Sequence, residues 1–196
     1  MESGYRPSPH ESLTGTAGRL NQYGLVAYID GKLGDFLLKL RQEVVPGCQL
    51  RSHVSILPPR PLTGSEAEST EFLQASSRHL AAFEVSLSDV EVFPVTNVIY
   101  VAIAAGLPEL HAMHDKLNKR GLRYIEPFPY HPHITLAQEL SEADHPGARQ
   151  LCEARWKEYV GSRNFPVEIL TFVRNTANCG WLDVSSARLE MAGSRL

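Results

Sequence analysis

Two short stretches of this chain have the residue types to do chemistry together: His53-Val54-Ser55-Ile56 and His133-Ile134-Thr135-Leu136. Each reads histidine, aliphatic, hydroxyl, aliphatic. Side chains alternate between the two faces of a β-strand. Each tetrad therefore predicts a strand with an apolar back and a front carrying one imidazole and one hydroxyl. Histidine titrates nearest to neutral pH, so it can give or take a proton. Two imidazoles in one cleft supply an acid and a base, and two hydroxyls supply hydrogen bonds to an oxyanion. That set suits a phosphodiester. Either histidine alone reads as a hydrogen-bonded structural residue, because one such tetrad is a weak signal. The matched pair is stronger, because both copies fall at the same place in a repeated pattern.

That pattern is strand, helix, tetrad strand. A strand is predicted over 24–29, closed by the turn signal Asp30-Gly31. Leu33, Phe36, Leu37, Leu40 and Val44 recur at three and four, which predicts a helix over 32–45 stopped by Pro46-Gly47. The first tetrad strand then covers 48–57 and ends at Pro58-Pro59, since proline cannot donate to a ladder. The second unit is a strand over 97–104, a helix over 107–120 closed by Gly121, and a tetrad strand over 131–137. The two units share pattern and not sequence. Two lobes related by a pseudo-two-fold axis would bring the distant histidines together.

Between and after the units, a helix is predicted over 63–80 with Thr63 and Glu66 as its capping box. Strands are predicted over 83–93, 165–174 and 181–189, and a helix over 142–160. Residues 1–20 are rich in Gly, Ser, Thr and Pro without a hydrophobic period, and read as a flexible tail. Residues 21–196 then form a single domain of two lobes.

Composition narrows the function. A chain of 196 residues with net charge -3 has no global attraction for nucleic acid, so any such ligand must be small or meet a local patch. Cys48, Cys152 and Cys179 have no metal-type spacing and suit a reducing compartment. No apolar run is long enough to span a bilayer, and no signal peptide is evident. The expected location is the cytoplasm, and the expected state is a monomer with no protein partner, no membrane and no cofactor.

The tetrads resemble the paired His-x-(Ser/Thr)-x motifs of the two-histidine phosphoesterase superfamily, which includes 2′-5′ RNA ligase-like proteins and cyclic nucleotide phosphodiesterases. The flanks fit as well: Leu57-Pro58-Pro59 follows the first motif, and Tyr130-His131-Pro132 precedes the second. Serine stands in the first motif where threonine is also found, which keeps the hydroxyl. The resemblance implies an α+β, bilobal fold in which two pseudo-symmetric antiparallel sheets with flanking helices enclose a central cleft. It implies a metal-independent phosphoesterase that hydrolyses a 2′,3′-cyclic phosphate of an RNA end or a nucleotide. His53 and His133 would be general acid and base in unassigned order, with Ser55 and Thr135 holding the phosphate. The alternatives are a 2′-5′ RNA ligase and a non-catalytic RNA- or nucleotide-binding module.

Further candidates come from position. Arg60, just past the first tetrad, could reach a phosphate or be a solvated loop residue. Tyr130 and Phe128 could stack on a base or pack in the core or rim. Tyr28 reads as core, and Arg174 faces either cleft or solvent. His131 and His133 share a strand face and could hold a metal, but no acidic or cysteine partner stands at ligand spacing. His111 and His114, three apart on a helix, read as surface residues.

Overall fold

The computed structural model describes residues 22–176 and 180–191. In order, its elements are β1 (Tyr23–Tyr28), α1 (Gly31–Val44), β2 (His53–Arg60), α2 (Glu66–Ser77), β3 (Phe83–Val92), β4 (Ile99–Ala105), α3 (Leu107–Leu117), a 3-10 turn (Arg120–Leu122), β5 (Ile134–Ala137), α4 (His145–Glu158), β6 (Asn164–Val167), β7 (Ile169–Asn175) and β8 (Trp181–Arg188). The tail predicted over 1–20 lies outside the described residues.

The strands form two four-stranded antiparallel sheets, ordered β2-β1-β7-β8 and β5-β4-β3-β6. The sheets correspond strand for strand: tetrad strand at the edge, first strand of the repeat beside it, then two more. The bilobal α+β architecture expected from the repeat is therefore present. The tetrads' apolar backs drive it. Val54, Ile56, Ile134 and Leu136 are all buried in one contiguous core cluster, and each such side chain stabilises the fold by about 1.5–3 kcal/mol.

The helices cross between lobes. Helix α1 lies against β5, and α3 lies against β2, so each lobe's helix supports the other lobe's tetrad strand. Gly34 makes this possible for α1. A Cβ there would collide with the Ile29 carbonyl, so only glycine lets the helix start this close to the end of β1. Ser52 Oγ donates to the Gly34 carbonyl (3.1 Å) at the same junction. Helix α4 bridges β3, through Trp156 Nε1 donating to the Ser88 carbonyl (2.6 Å), and α1, through Phe36 against Trp156 and Tyr159.

Three sequence expectations need correction. Strand β2 does not stop at Pro58-Pro59 but runs through both to Arg60, pairing Arg60 with Tyr23. It is an edge strand, where a missing N–H on the open side costs no ladder bond. The capping box of α2 is Ser65 with Glu68, not Thr63 with Glu66: Ser65 Oγ accepts from the Glu68 amide, and the Glu68 carboxylate accepts from the Ser65 amide. The strand predicted over 165–174 is two strands in different sheets. Phe165 and Val167 are buried in β6, then Leu170 and Phe172 in β7, so the inward parity switches from odd to even across Glu168. A one-residue slip reverses every side chain, and here it passes the chain from one lobe to the other.

Candidate active site

The site is built where the two edge strands approach each other. Strand β2 lies against β5, and the hydroxyl residue of each tetrad accepts a bond from the opposite lobe on its backbone carbonyl. Tyr130 Oη donates to the Ser55 carbonyl (2.8 Å), and Arg41 Nη1 donates to the Thr135 carbonyl (3.3 Å). The fold thus brings His53, Ser55, His133 and Thr135 together. All four side chains are half-buried, while their aliphatic neighbours are fully enclosed.

Both imidazoles are set by the same device. His53 Nδ1 lies 2.8 Å from the Arg51 carbonyl, and His133 Nδ1 lies 2.7 Å from the His131 carbonyl, each two residues back. A carbonyl can only accept, so each Nδ1 carries the hydrogen and each neutral ring presents Nε2 as its acceptor. His133 itself lies one residue before β5, not within it.

The surroundings of the two rings differ. His53 pairs across the sheet with Tyr28, whose ring meets it edge-on at 6.3 Å. Arg51 sits 3.7 Å over the Tyr28 ring and within 3.0 Å of Asp30 and 3.8 Å of Asp183, and Tyr28 Oη donates to Asp183 (2.6 Å). Trp181 completes this depression of about 160 Å³. His133 instead faces Phe93 (4.9 Å) and Tyr100 (5.2 Å), which stack on each other at 4.1 Å. Beyond them opens a cavity of about 590 Å³ walled by Pro94, Val95, Phe128 and Tyr130.

Burial depresses both imidazoles. His53 is pushed down to about 4, first by desolvation and then by the charges of Arg41, His133 and Arg51, against the opposing carbonyl bond. His133 is lowered by desolvation and by His131. The effect of His133 on His53 is electrostatic contact between the two tetrads.

Residues 46–178 of the chain match the 2′-5′ RNA ligase superfamily. The chain belongs to that superfamily. Its relatives within the two-histidine phosphoesterases include a candidate phosphoesterase of Bacillus pumilus, 28% identical over 127 residues (63% of this chain, 74% of that protein). Another, from Bacillus cytotoxicus, is 30% identical over 122 residues (56% of this chain, 70% of that protein). The crystal structure of Escherichia coli LigT complexed with 3′-AMP has a similar fold, with TM-score 0.60 at 16% identity over 86% of this chain and 98% of that one.

Within this member of the superfamily, Arg60 is not a phosphate ligand. It is fully buried and gives its donors to the Pro58 carbonyl (2.8 Å), Asn118 Oδ1 (2.9 Å), the Leu122 carbonyl (3.2 Å) and the Glu126 carboxylate. Because β2 continues through the prolines, Arg60 faces α3 instead of the cleft. Tyr130 lines the larger cavity, but one ring face is stacked on His114 (4.1 Å, 13°) and its hydroxyl is engaged by Ser55. Phe128 is 44% exposed on the cavity rim. Tyr28 is a wall of the His53 depression, not core. Arg174 donates to Glu66 (3.2 Å), and His111 meets Tyr130 edge-on. No cluster of three or more His, Cys, Asp or Glu side chains among the described residues could hold a metal ion.

Sequence reasoning missed Arg41, Arg51, His114, Glu126 and Trp181. Two of them had signals. Arg41 stands four residues after Leu37, on the buried side of α1, and Arg51 precedes His53 as His131 precedes His133. His114 was placed at the surface, yet it is 6% exposed with Nε2 3.0 and 3.1 Å from the two Glu126 oxygens.

Proposed function

We propose that this cleft hydrolyses a 2′,3′-cyclic phosphate by general acid–base catalysis between His53 and His133. The observation that carries the reading is the matched presentation of two Nε2 acceptors, each fixed by a carbonyl two residues back. One neutral imidazole takes the proton of a water whose oxygen attacks phosphorus. The P–O bond to one ribose oxygen breaks, and the other imidazole, protonated, gives that oxygen its proton. Each group of this kind contributes about 10²–10⁴-fold. Ser55 and Thr135 hold the non-bridging oxygens, where donors act best when fixed in advance. Both rings are depressed in the free protein, so the phosphate anion supplies the field that restores a proton to the acid.

A small substrate suits the walls better than a strand. Among the described residues, those lining the larger cavity include no lysine or arginine, so successive RNA phosphates would lack partners there. The aromatic lining offers a nucleobase a stacking surface instead. The complex of LigT with 3′-AMP, a nucleoside monophosphate, points the same way. Ligation of RNA ends is the same attack on the cyclic phosphate with a 5′-hydroxyl in place of water, and would need a basic groove.

The test is turnover of the four nucleoside 2′,3′-cyclic phosphates with EDTA present, for wild type, His53→Ala and His133→Ala. The expected outcome is turnover by wild type and a loss of about 10²–10⁴-fold in each variant. A folded wild type inert on all four would sink the proposal.

A further inference from the structure

The two cross-lobe bonds that hold the tetrads differ in one respect. Behind Ser55, the polar groups are compensated: Tyr130 stacks on His114, and His114 and Arg60 share the Glu126 carboxylate. Behind Thr135 stands Arg41, 7% exposed, with no carboxylate within 4 Å among the described residues. Its Nε is buried without a hydrogen-bond partner, and the titratable group beside it is the Cys48 thiol. A buried guanidinium left unpaired costs several kcal/mol by ordinary expectation. An anion bound in the cleft would supply the missing charge.

We propose that Arg41 is a positioning residue of the phosphodiester site. From one lobe it fixes the Thr135 peptide of the other, and it gives the cleft a buried positive charge that only the bound phosphate offsets. The proposal rests on the cyclic-phosphate reading for the identity of the anion, but not for the charge itself. Arg41 is a positioning residue because its donated bond goes to a backbone carbonyl and its field acts through His53.

Tyr28 from β1, Asp183 from β8 and Arg51 before β2 line the depression at His53, and His133 before β5 and Arg41 from α1 act on it by charge. Arg51 is offset by Asp30 and Asp183. Arg41 has no carboxylate partner among the described residues, and after desolvation its charge stands ahead of those of His133 and Arg51 in disfavouring a proton on His53. Before the anion binds, Arg41 adds to the desolvation that keeps His53 neutral and able to accept a proton. When a phosphate enters between the tetrads, it offsets that field and raises the His53 pKa.

The experiment is an NMR titration of the His53 ring in the full chain, for wild type, Arg41→Met and Arg41→Lys, each with and without inorganic phosphate. In Arg41→Met the His53 pKa is expected to rise by on the order of half a pH unit or more, and Arg41→Lys should keep it near the wild-type value. Phosphate should raise the His53 pKa in wild type and less in Arg41→Met. With a turnover substrate, kcat of Arg41→Met should fall about 10- to 100-fold with a smaller change in KM. A folded Arg41→Met with an unmoved His53 titration overturns the proposal. If Arg41→Met does not fold, a wild-type-like titration and phosphate response in Arg41→Lys supports the proposal. Loss of both effects in Arg41→Lys overturns it. If wild type turns over no cyclic phosphate, the proposed reaction fails while the titration still decides the role of Arg41.

Discussion

The two halves of the cleft use one design with different contents. Each tetrad sits on an edge strand, each imidazole is tied to a carbonyl two residues back, and each hydroxyl residue is held from the other lobe. The first tetrad is backed by a buried network in which Glu126 answers both Arg60 and His114. The second is backed by Arg41 alone. The imidazoles divide likewise: His53 faces Arg51, Asp183 and Tyr28, while His133 faces Phe93 and Tyr100. Pseudo-symmetry placed the two imidazoles. The asymmetry around them decides how the cleft answers a charged substrate.

The largest effect expected from breaking this contrast is at Glu126. Glu126→Ala leaves Arg60 and His114 buried without their carboxylate and should lower stability by about 3–5 kcal/mol, measured by urea unfolding. Arg41→Met removes a charge that has no such partner, so its unfolding free energy should stay level or rise even as activity falls. Equal destabilisation by the two variants would erase the distinction between the two sides. Tyr130→Phe deletes one bond to the Ser55 carbonyl and should cost about 1 kcal/mol, with a drop in kcat, since the edge of β2 is then held by contact alone.

A separate expected effect concerns pH. His53 is held near 4 in the folded protein, below the ordinary histidine value of about 6.5 in the unfolded chain. Between these values the unfolded chain binds a proton that the folded protein refuses. This contribution is present in full at pH 7 and is lost as pH falls from about 6.5 toward 4. In thermal melts across that range, His53→Ala should show a shallower decline than wild type. An unchanged slope would mean that His53 is not enclosed as described. The same depression moves the limbs of the kcat/KM profile below the range of ordinary histidines.

The first depth of the structure was legible because period-two alternation is a local property. His53 and Ser55 on one face, Val54 and Ile56 on the other, needed no tertiary information, and neither did the repeated order of strand, helix and strand. Arg60 shows where local reasoning ends. A double proline reads as a stop, and only the strand's place at the sheet edge lets it continue and turn Arg60 inward. Glu168 shows the same limit: Ile169 and Val173 continue the odd alternation of Phe165 and Val167, and only the structure shows Leu170 and Phe172 joining the core instead.

The sequence by itself determined the paired histidines and hydroxyls, the strand faces that carry them and the repeat that predicts two lobes, because these follow from residue type and spacing along one segment. Tertiary structure alone decided which helix supports which tetrad, that Glu126 joins Arg60 and His114, and that Arg41 stands without a carboxylate beside the second tetrad. Those are relations between residues far apart in the chain. Charge compensation in a buried site depends on distance in space, which no spacing in sequence specifies.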